Sequence, residues 1–169
     1  RLGKASLLNA LSYSLSKDYL SLLIDLQGTC AFVTDYSSFF YKLSRAMITS
    51  AQSQNLNLPA LSREAWRDSP EEVFEEWLAR LEVIYPDRLF LLAFDEYEAL
   101  EDLFNTGHLD RRRILSLFRH LIQHRPRLRI LLTGVCQLQE LPEWSHYLIN
   151  AEAIHLSYLA PPEVRQLIQ

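Results

Sequence analysis

The chain has only two cysteines, no apolar run long enough to span a bilayer and no large excess of charge in its 169 residues. Two cysteines are too few for a disulfide framework. Because Cys30 and Cys136 both lie beside apolar segments, we expect buried thiols in a reducing, cytoplasmic compartment. The absence of a long apolar run predicts no membrane span. A net charge of −4 gives no reason to expect general affinity for nucleic acid or acidic membranes.

What the chain does contain is the composition of a soluble globular domain. It is 49% hydrophobic and 22% charged, which provides a sizeable core at this length. No internal repeat or low-complexity tract is visible. We therefore expect residues 1–169 to form one domain. The half-motif and the resemblance described below lead us to expect that it is a partial domain, a segment of a longer multidomain protein.

Short apolar runs alternate with segments of helical periodicity. Asp35 and Asp110 are predicted helix caps, and Ser69-Pro70-Glu71-Glu72 has the form of a capping box. The predicted strands are residues 19–26, 89–94, 128–133 and 153–156, and the predicted helices are residues 6–16, 36–53, 111–124 and those starting at 70 and 161. This alternation predicts an α/β fold with three layers and a mainly parallel sheet.

The first residues contain half of a phosphate-binding motif. Gly3-Lys4-Ala5-Ser6 reads as the end of a phosphate loop entering a helix. In such a loop the backbone N–H groups and the helix N-terminus surround phosphate oxygens, and the Lys adds a positive charge. Ala5 occupies the position of the Ser or Thr whose hydroxyl binds Mg²⁺. An ordinary turn with a solvated Lys4 is the alternative for this motif alone.

A second acidic motif follows the strand at residues 89–94. Asp95 and Glu96 come directly after six apolar residues, and Thr133 ends the next predicted strand. Ligands of parallel sheets bind beyond the carboxyl ends of the strands, where these side chains would meet. Asp95 would hold Mg²⁺ mostly through water, Glu96 would polarise an attacking water, and Thr133 would sense the phosphate. The alternative is an exposed acidic loop and a Thr in a local turn.

Other polar residues are given structural interpretations. His120 and His124 are spaced as metal ligands on a helix, but no third ligand is near in sequence, so a surface pair is expected. A solvated helix face explains Arg111-Arg112-Arg113. The three tryptophans are expected in the core: Trp66, Trp77 and Trp144.

At this point the chain resembles a known group, the AAA-like ATPases of the STAND class, of bacterial or archaeal type. The resemblance rests on five segments in family order: Arg1-Leu2-Gly3-Lys4-Ala5-Ser6-Leu7-Leu8, Leu22-Leu23-Ile24-Asp25-Leu26-Gln27-Gly28, Phe90-Leu91-Leu92-Ala93-Phe94-Asp95-Glu96-Tyr97-Glu98, Arg129-Ile130-Leu131-Leu132-Thr133-Gly134-Val135 and Ile154-His155-Leu156-Ser157-Tyr158-Leu159. These are similar to the phosphate loop, second strand, Walker B strand, sensor strand and closing strand of that class.

The resemblance implies a P-loop NTPase core that binds ATP with Mg²⁺. Gly3 and Lys4 match the phosphate loop, with Ala5 and Ser6 beside them. Asp95 and Glu96 match Walker B, and Thr133 matches the sensor position. The N-terminal strand and the first half of the phosphate loop are expected upstream of Arg1. Ala5 departs from the family pattern and predicts weakened hydrolysis rather than lost binding.

Three functions follow from these motifs. The first is an ATP-binding switch domain of a signalling or regulatory protein, with weak or no turnover and with protein partners or fused effector domains. The second is a nucleotide-free interaction module that keeps the fold, and the third is an active Mg²⁺-dependent ATPase. Nucleic acid is expected as a partner only through an adjacent domain.

Overall fold

Three parallel strands form the centre of the computed structural model, which describes residues 3–15, 18–136, 140–149 and 151–154. The strands are β1 (Tyr19–Asp25), β2 (Leu89–Asp95) and β3 (Leu128–Thr133), in the order β1-β2-β3. Both strand pairs are parallel. The fold is therefore mixed α/β with an open parallel sheet, as the alternating pattern predicted, and the three predicted strands within these ranges are confirmed to within one residue.

Helices occupy most of the connections between the strands. They are α1 (Lys4–Ser14), α2 (Leu26–Cys30), α3 (Tyr36–Gln52), α4 (Pro70–Ile84), α5 (Ala99–Asn105), α6 (Arg111–His124) and α7 (Pro142–Tyr147), with a 3-10 turn at Arg63–Trp66. The helix predicted at residues 111–124 is confirmed at both ends, and α3 ends one residue before its prediction. The sequence interpretation missed three short helices, α2, α5 and α7. None of the described helices combines the length and apolar character needed to cross a bilayer.

Side-chain caps set the start of two helices. Asp35 accepts a hydrogen bond from Ser38 N at 2.7 Å, and Ser38 Oγ accepts one from Asp35 N at 3.1 Å, so α3 begins with a reciprocal capping box. Asp110 accepts from Arg113 N at 2.8 Å at the start of α6. The capping box predicted at Ser69 is wrong, because Ser69 makes no side-chain cap hydrogen bond and Pro70 alone provides the helix start.

The core lies on both faces of β2. Residues 90–94 are all buried, and since successive side chains of a strand point to opposite faces, both faces are covered. Four apolar residues of α3 are buried in this core: Phe39, Phe40, Leu43 and Met47. All three tryptophans are buried as predicted. Leu121 of α6 is buried, whereas the next residue, Ile122, is 42% exposed.

The two edges of the sheet differ. Polar side chains of α3 and of the turn after it cover β1: Ser50 Oγ accepts from Leu23 N at 2.8 Å, and Gln54 Nε2 donates to Ser21 O at 2.6 Å. Strand β3 is the other edge among the described residues, and four of its six side chains are half-buried. One edge is thus closed by a helix, while the other can accept a further strand.

Two predicted elements lie at or beyond residue 154, the last residue that the structure describes. Residues 151–154 are described without regular structure, so the first half of the strand predicted at residues 153–156 is not formed there. The second half of that strand and the helix predicted to start at residue 161 lie outside the described residues.

Candidate functional site

The carboxyl ends of β2 and β3 bring two of the predicted site residues together. Asp95 and Thr133 are opposite one another in the strand register, and Thr133 Oγ1 donates a 2.5 Å hydrogen bond to Asp95 Oδ1. The same oxygen accepts from Glu96 N at 3.0 Å. The two side chains lie close together because parallel strands end at the same edge of the sheet. The Asp95 carboxylate is therefore held in place by two donors.

Glu96 lies beside this pair in an unusual backbone conformation. Its φ of 55° is in the left-handed region, which non-glycine residues seldom occupy. The turn exposes the Glu96 side chain and directs the chain back toward β3, where Tyr97 N donates to Thr133 O at 3.2 Å. Glu96 makes no side-chain hydrogen bond or ion pair within the described ranges, so its carboxylate is free to act on a ligand or a water.

Asp25 adds a third acidic residue to this edge. It ends β1 and is the register partner of Asp95. Asp25 is exposed and lines an open cleft of about 450 Å³, together with Asn9 of α1 and Thr29 of α2. The lining of this cleft does not include Lys4, Asp95 or Thr133. The sequence analysis gives Asp25 no chemical role. An acidic residue at the end of a buried strand was the signal that could have indicated one.

The phosphate-loop residues lie at the start of α1. Gly3 precedes the helix with a φ of 73°, a left-handed conformation that suits glycine, and its carbonyl accepts from Leu7 N at 2.9 Å. Lys4 and Ala5 are in the first turn and Ser6 is exposed. No hydrogen bond or ion pair connects the half-buried Lys4 side chain to Asp95, Glu96 or Thr133 in the described part of the chain. The predicted site is thus assembled on β2 and β3 but not joined to α1.

The acidic edge fits Mg²⁺ bound with a phosphate better than a metal held by protein alone. No group of three His, Cys, Asp or Glu residues within the described ranges could hold a metal ion. Magnesium, however, usually binds one or two carboxylates and completes its shell with waters and substrate phosphates. Asp95 Oδ2 has no hydrogen-bond partner among the described residues, since both donors use Oδ1. One carboxylate oxygen is therefore available for such an ion.

Three residues to which the sequence analysis gives no role in the site connect the segments that follow β2 and β3. Glu98 Oε1 accepts from Val135 N and, at 2.8 Å, from Cys136 N. Gly134 is the contact point, because a Cβ built there would lie 2.6 Å from Glu98 Oε2. Tyr97 is 4% exposed and donates from its hydroxyl to Cys136 O at 2.9 Å. Glu98 and Val135 are 37 positions apart in the chain, so only the fold reveals this contact.

Burial changes the chemistry of Tyr97. Desolvation, with the nearby Glu98 charge as the next cause, raises the pKa of the Tyr97 phenol to about 12. A phenol is already protonated near neutral pH, and the raised pKa keeps the Tyr97 hydroxyl a hydrogen-bond donor in more alkaline solution as well. Its ring packs against Trp144 at 5.1 Å, and Trp144 Nε1 donates to Glu101 Oε1 at 2.5 Å. The site is thus continuous with the packing of α5 and α7.

Two of the remaining residues do not lie where the sequence predicts them, Arg111 and Cys136. Arg111 is expected on a solvated face but is half-buried, with Nη2 2.5 Å from Glu101 Oε2. His120 and His124 lie on the surface, with His120 Nε2 3.3 Å from Glu75 Oε2. Cys30 is buried as predicted, and desolvation raises the pKa of its thiol to about 12. Cys136 was predicted to be buried and is exposed, because the chain turns outward after Gly134 instead of continuing the strand.

Comparison with known proteins adds no assignment to this geometry. None of the family models, curated proteins or solved structures compared with the chain matches it. The functional argument consequently rests on the residues and contacts of this chain.

Proposed function

We propose that the chain is an ATP-binding switch domain, built on a three-layer P-loop NTPase core of the AAA-like STAND type. The observation that carries the proposal is the hydrogen bond from Thr133 Oγ1 to Asp95 Oδ1 at the carboxyl edge of a parallel sheet. Ligand sites of open parallel sheets lie at this edge. The exposed Glu96 beside it supplies the second carboxylate that nucleotide hydrolysis requires.

Each residue then has a defined task toward the nucleotide. Backbone N–H groups after Gly3 and the Lys4 ammonium would bind phosphate oxygens at the start of α1. Asp95 Oδ2 would accept hydrogen bonds from the water shell of Mg²⁺, an ion that neutralises phosphate charge when bound. Glu96 would polarise the attacking water, and Thr133 would keep Asp95 oriented.

Two features shape the expected activity. Ala5 provides no hydroxyl for Mg²⁺, so we propose binding with weak or no turnover. The open edge of β3 can accept the strand that the resemblance expects upstream, and this strand would bring the phosphate loop to Asp95. As a switch, the domain would act on fused effector domains or protein partners in the cytoplasm, and on nucleic acid only through an adjacent domain.

The proposal is tested by titrating the protein with ATP in the presence and absence of Mg²⁺. We expect binding, with a stabilisation of about 2.7 kcal/mol at a ligand concentration 100 times the dissociation constant. Lys4→Ala should weaken binding at least about tenfold, since it removes a charge-assisted contact. Arg80→Ala removes a positive charge from the exposed face of α4 and is the matched control. Equal affinity of Lys4→Ala and wild type would refute the phosphate-loop assignment.

A second candidate is an interaction module that has lost its nucleotide. It is favoured by the Asp95 carboxylate, whose Oδ1 is already satisfied by Thr133 and Glu96 N without a ligand. The acidic stretch of residues 96–102 would then serve a protein partner. Absence of any thermal shift with ATP and Mg²⁺ selects this function. If ATP binds, steady turnover by the wild-type protein distinguishes an active ATPase from a switch with weak or no turnover. Glu96→Gln should preserve ATP binding and abolish any hydrolysis.

A further inference from the structure

Hydrogen bonds between the β2 and β3 regions continue past the ends of the two strands. Beyond the register pair of Asp95 and Thr133, Tyr97 N donates to Thr133 O at 3.2 Å. The Tyr97 hydroxyl donates to Cys136 O at 2.9 Å. The segment after β2 is therefore bonded to the end of β3 and to the segment that follows it, from residues 97–98 to residues 133–136.

Glu98 contributes a carboxylate to the contact between the segments that follow β2 and β3. Its Oε1 accepts from two successive backbone donors, Val135 N and Cys136 N, the second at 2.8 Å. Two adjacent N–H groups pointing at one oxygen form a small concavity that favours an anion. Hydrogen bonds to a carboxylate are also stronger than those between neutral groups. The turn after β3 is thus fastened by an internal anion.

Gly134 makes this approach sterically feasible. The three atoms nearest to a Cβ built on Gly134 all belong to the Glu98 carboxyl group. The distance from this Cβ to Glu98 Cδ would be 2.6 Å. The φ of Gly134 is not in the left-handed region, unlike those of Gly3 and Gly107, so an alanine there would strain no backbone angle. A methyl group at this position would displace the Glu98 side chain and little else.

We propose that Glu98 is a positioning residue: by holding the amides of Val135 and Cys136, it keeps the Thr133 hydroxyl on Asp95. Thr133 is two residues before Val135 and ends the strand at the edge of the described sheet. Releasing the turn frees the end of β3, and the Thr133 side chain loses its fixed distance from Asp95. The effect on nucleotide rests on the proposed function, whereas the effect on the turn does not.

The turn is tested directly by amide hydrogen exchange measured by NMR on the whole chain. In Glu98→Ala we expect exchange at Val135 and Cys136 to accelerate about tenfold or more, and exchange at Tyr97 N to accelerate as well. Glu98→Gln keeps an acceptor oxygen and should restore most of the protection. Glu76→Ala, which removes an exposed carboxylate from α4, should change none of these rates.

A double-mutant cycle with Gly134 separates this contact from general destabilisation. Gly134→Ala should accelerate exchange at Val135 and Cys136 about tenfold in the wild-type background, because the methyl group displaces the carboxylate. In the Glu98→Ala background the same substitution should have little further effect. Additive effects of the two substitutions would overturn the proposal, and so would unchanged protection in both single variants.

The consequence for the site is measured as the ratio of ATP affinities with and without Mg²⁺. We expect Glu98→Ala to lower this ratio about tenfold while affinity for ATP without Mg²⁺ stays the same, since Asp95 serves the ion and Lys4 the phosphates. Glu98→Gln should recover most of the ratio. A ratio unchanged in Glu98→Ala overturns the positioning role. If wild type binds no ATP, the proposed function fails, and the amide exchange still decides whether Glu98 fastens Thr133 to Asp95.

Discussion

Thr133 Oγ1 and Asp95 Oδ1 are 2.5 Å apart, at register partners of two parallel strands. The two residues are 38 positions apart in the chain and meet because both strands end at the same edge. The bond orients a carboxylate that also accepts from Glu96 N. Two donors within the chain thus hold the Asp95 carboxylate, and such preorganisation is what the binding role proposed for Asp95 requires.

Removing the Thr133 hydroxyl should destabilise the protein modestly. We expect Thr133→Val to lower the free energy of unfolding by about 1 kcal/mol, because a half-buried bond to a charged group is lost while the side-chain volume is kept. Urea unfolding measures this change. Thr133→Ser retains the hydroxyl and should be closer to wild type; a larger loss in Thr133→Ser than in Thr133→Val would show that the methyl group, not the bond, matters.

Arg127 should matter more to stability than any exposed arginine. Its guanidinium donates to three carbonyls at the end of α4: Glu82 O at 3.1 Å, Tyr85 O at 2.5 Å and Arg88 O at 2.5 Å. These oxygens lie at or just after a helix C-terminus, where carbonyls lack partners and a positive charge is favourable. We expect Arg127→Ala to cost about 3 kcal/mol in urea unfolding.

Two variants check the reason for that loss. Arg127→Lys should recover less than half of it, since one ammonium cannot reproduce a planar fork of donors. Arg112→Ala, at an exposed position of α6, should change stability by no more than about 0.5 kcal/mol. A full recovery by lysine would mean that charge alone stabilises the end of α4.

The cap of α3 should make stability depend on pH. The hydrogen bond from Ser38 N, as the largest cause, holds the pKa of Asp35 below its ordinary value of 3.8. A carboxyl whose pKa is lower in the folded state stabilises the protein above its unfolded pKa, and this contribution disappears as pH falls through the folded pKa. Asp35→Ala should cost about 1 kcal/mol near neutral pH.

The measurement is urea unfolding of wild type and Asp35→Ala from neutral pH down to acid. The difference between the two proteins should shrink only below the ordinary Asp pKa. A matched exposed acid, Asp68→Ala, should show no cost of this size. A difference for Asp35→Ala that is constant across the acid range would assign the effect to packing rather than to the carboxylate.

The two cysteines should react at very different rates. Burial raises the pKa of Cys30 to about 12, so its reactive thiolate is scarce near pH 8, whereas Cys136 is exposed. A chromogenic disulfide reagent should therefore modify one thiol per folded chain quickly and the second only in denaturant. Cys136→Ser should abolish the fast reaction; rapid modification of both thiols in the folded protein would place Cys30 at the surface.

Local signals in the sequence predicted the elements whose ends are marked by capping or helix-breaking residues, or whose apolar run is continuous. Helix α6 was predicted at both ends because Asp110 caps it and Pro126 follows it, and β2 because six consecutive apolar residues need a buried strand. Strand β3 was predicted from a short apolar run that Gly134 ends. Where a pattern lacked such marks, prediction failed. Helix α2 has five residues and no cap hydrogen bond, and the Ser69 signal resembled a capping box whose bond does not form.

The candidate site was predictable in its residues but not in its contacts. A strand followed by Asp95 and Glu96, and a second strand ending in Thr133, implied a shared edge without structural information. The role of Glu98 depends on a contact across 37 positions to Val135, and no local pattern encodes such a distance. The assignment of Lys4 to the same site likewise remains a prediction, since α1 contacts β1 but is not bonded to Asp95 within the described residues.

By itself the sequence determined the alternation of strands and helices, the parallel sheet and the acidic ends of its strands, because periodicity and capping act over a few residues. Tertiary structure alone decided that Asp95 is held by Thr133, that Glu98 fastens the turn after β3 and that Cys136 faces outward. These features depend on how distant segments pack, and strand register places groups together that are far apart in the chain.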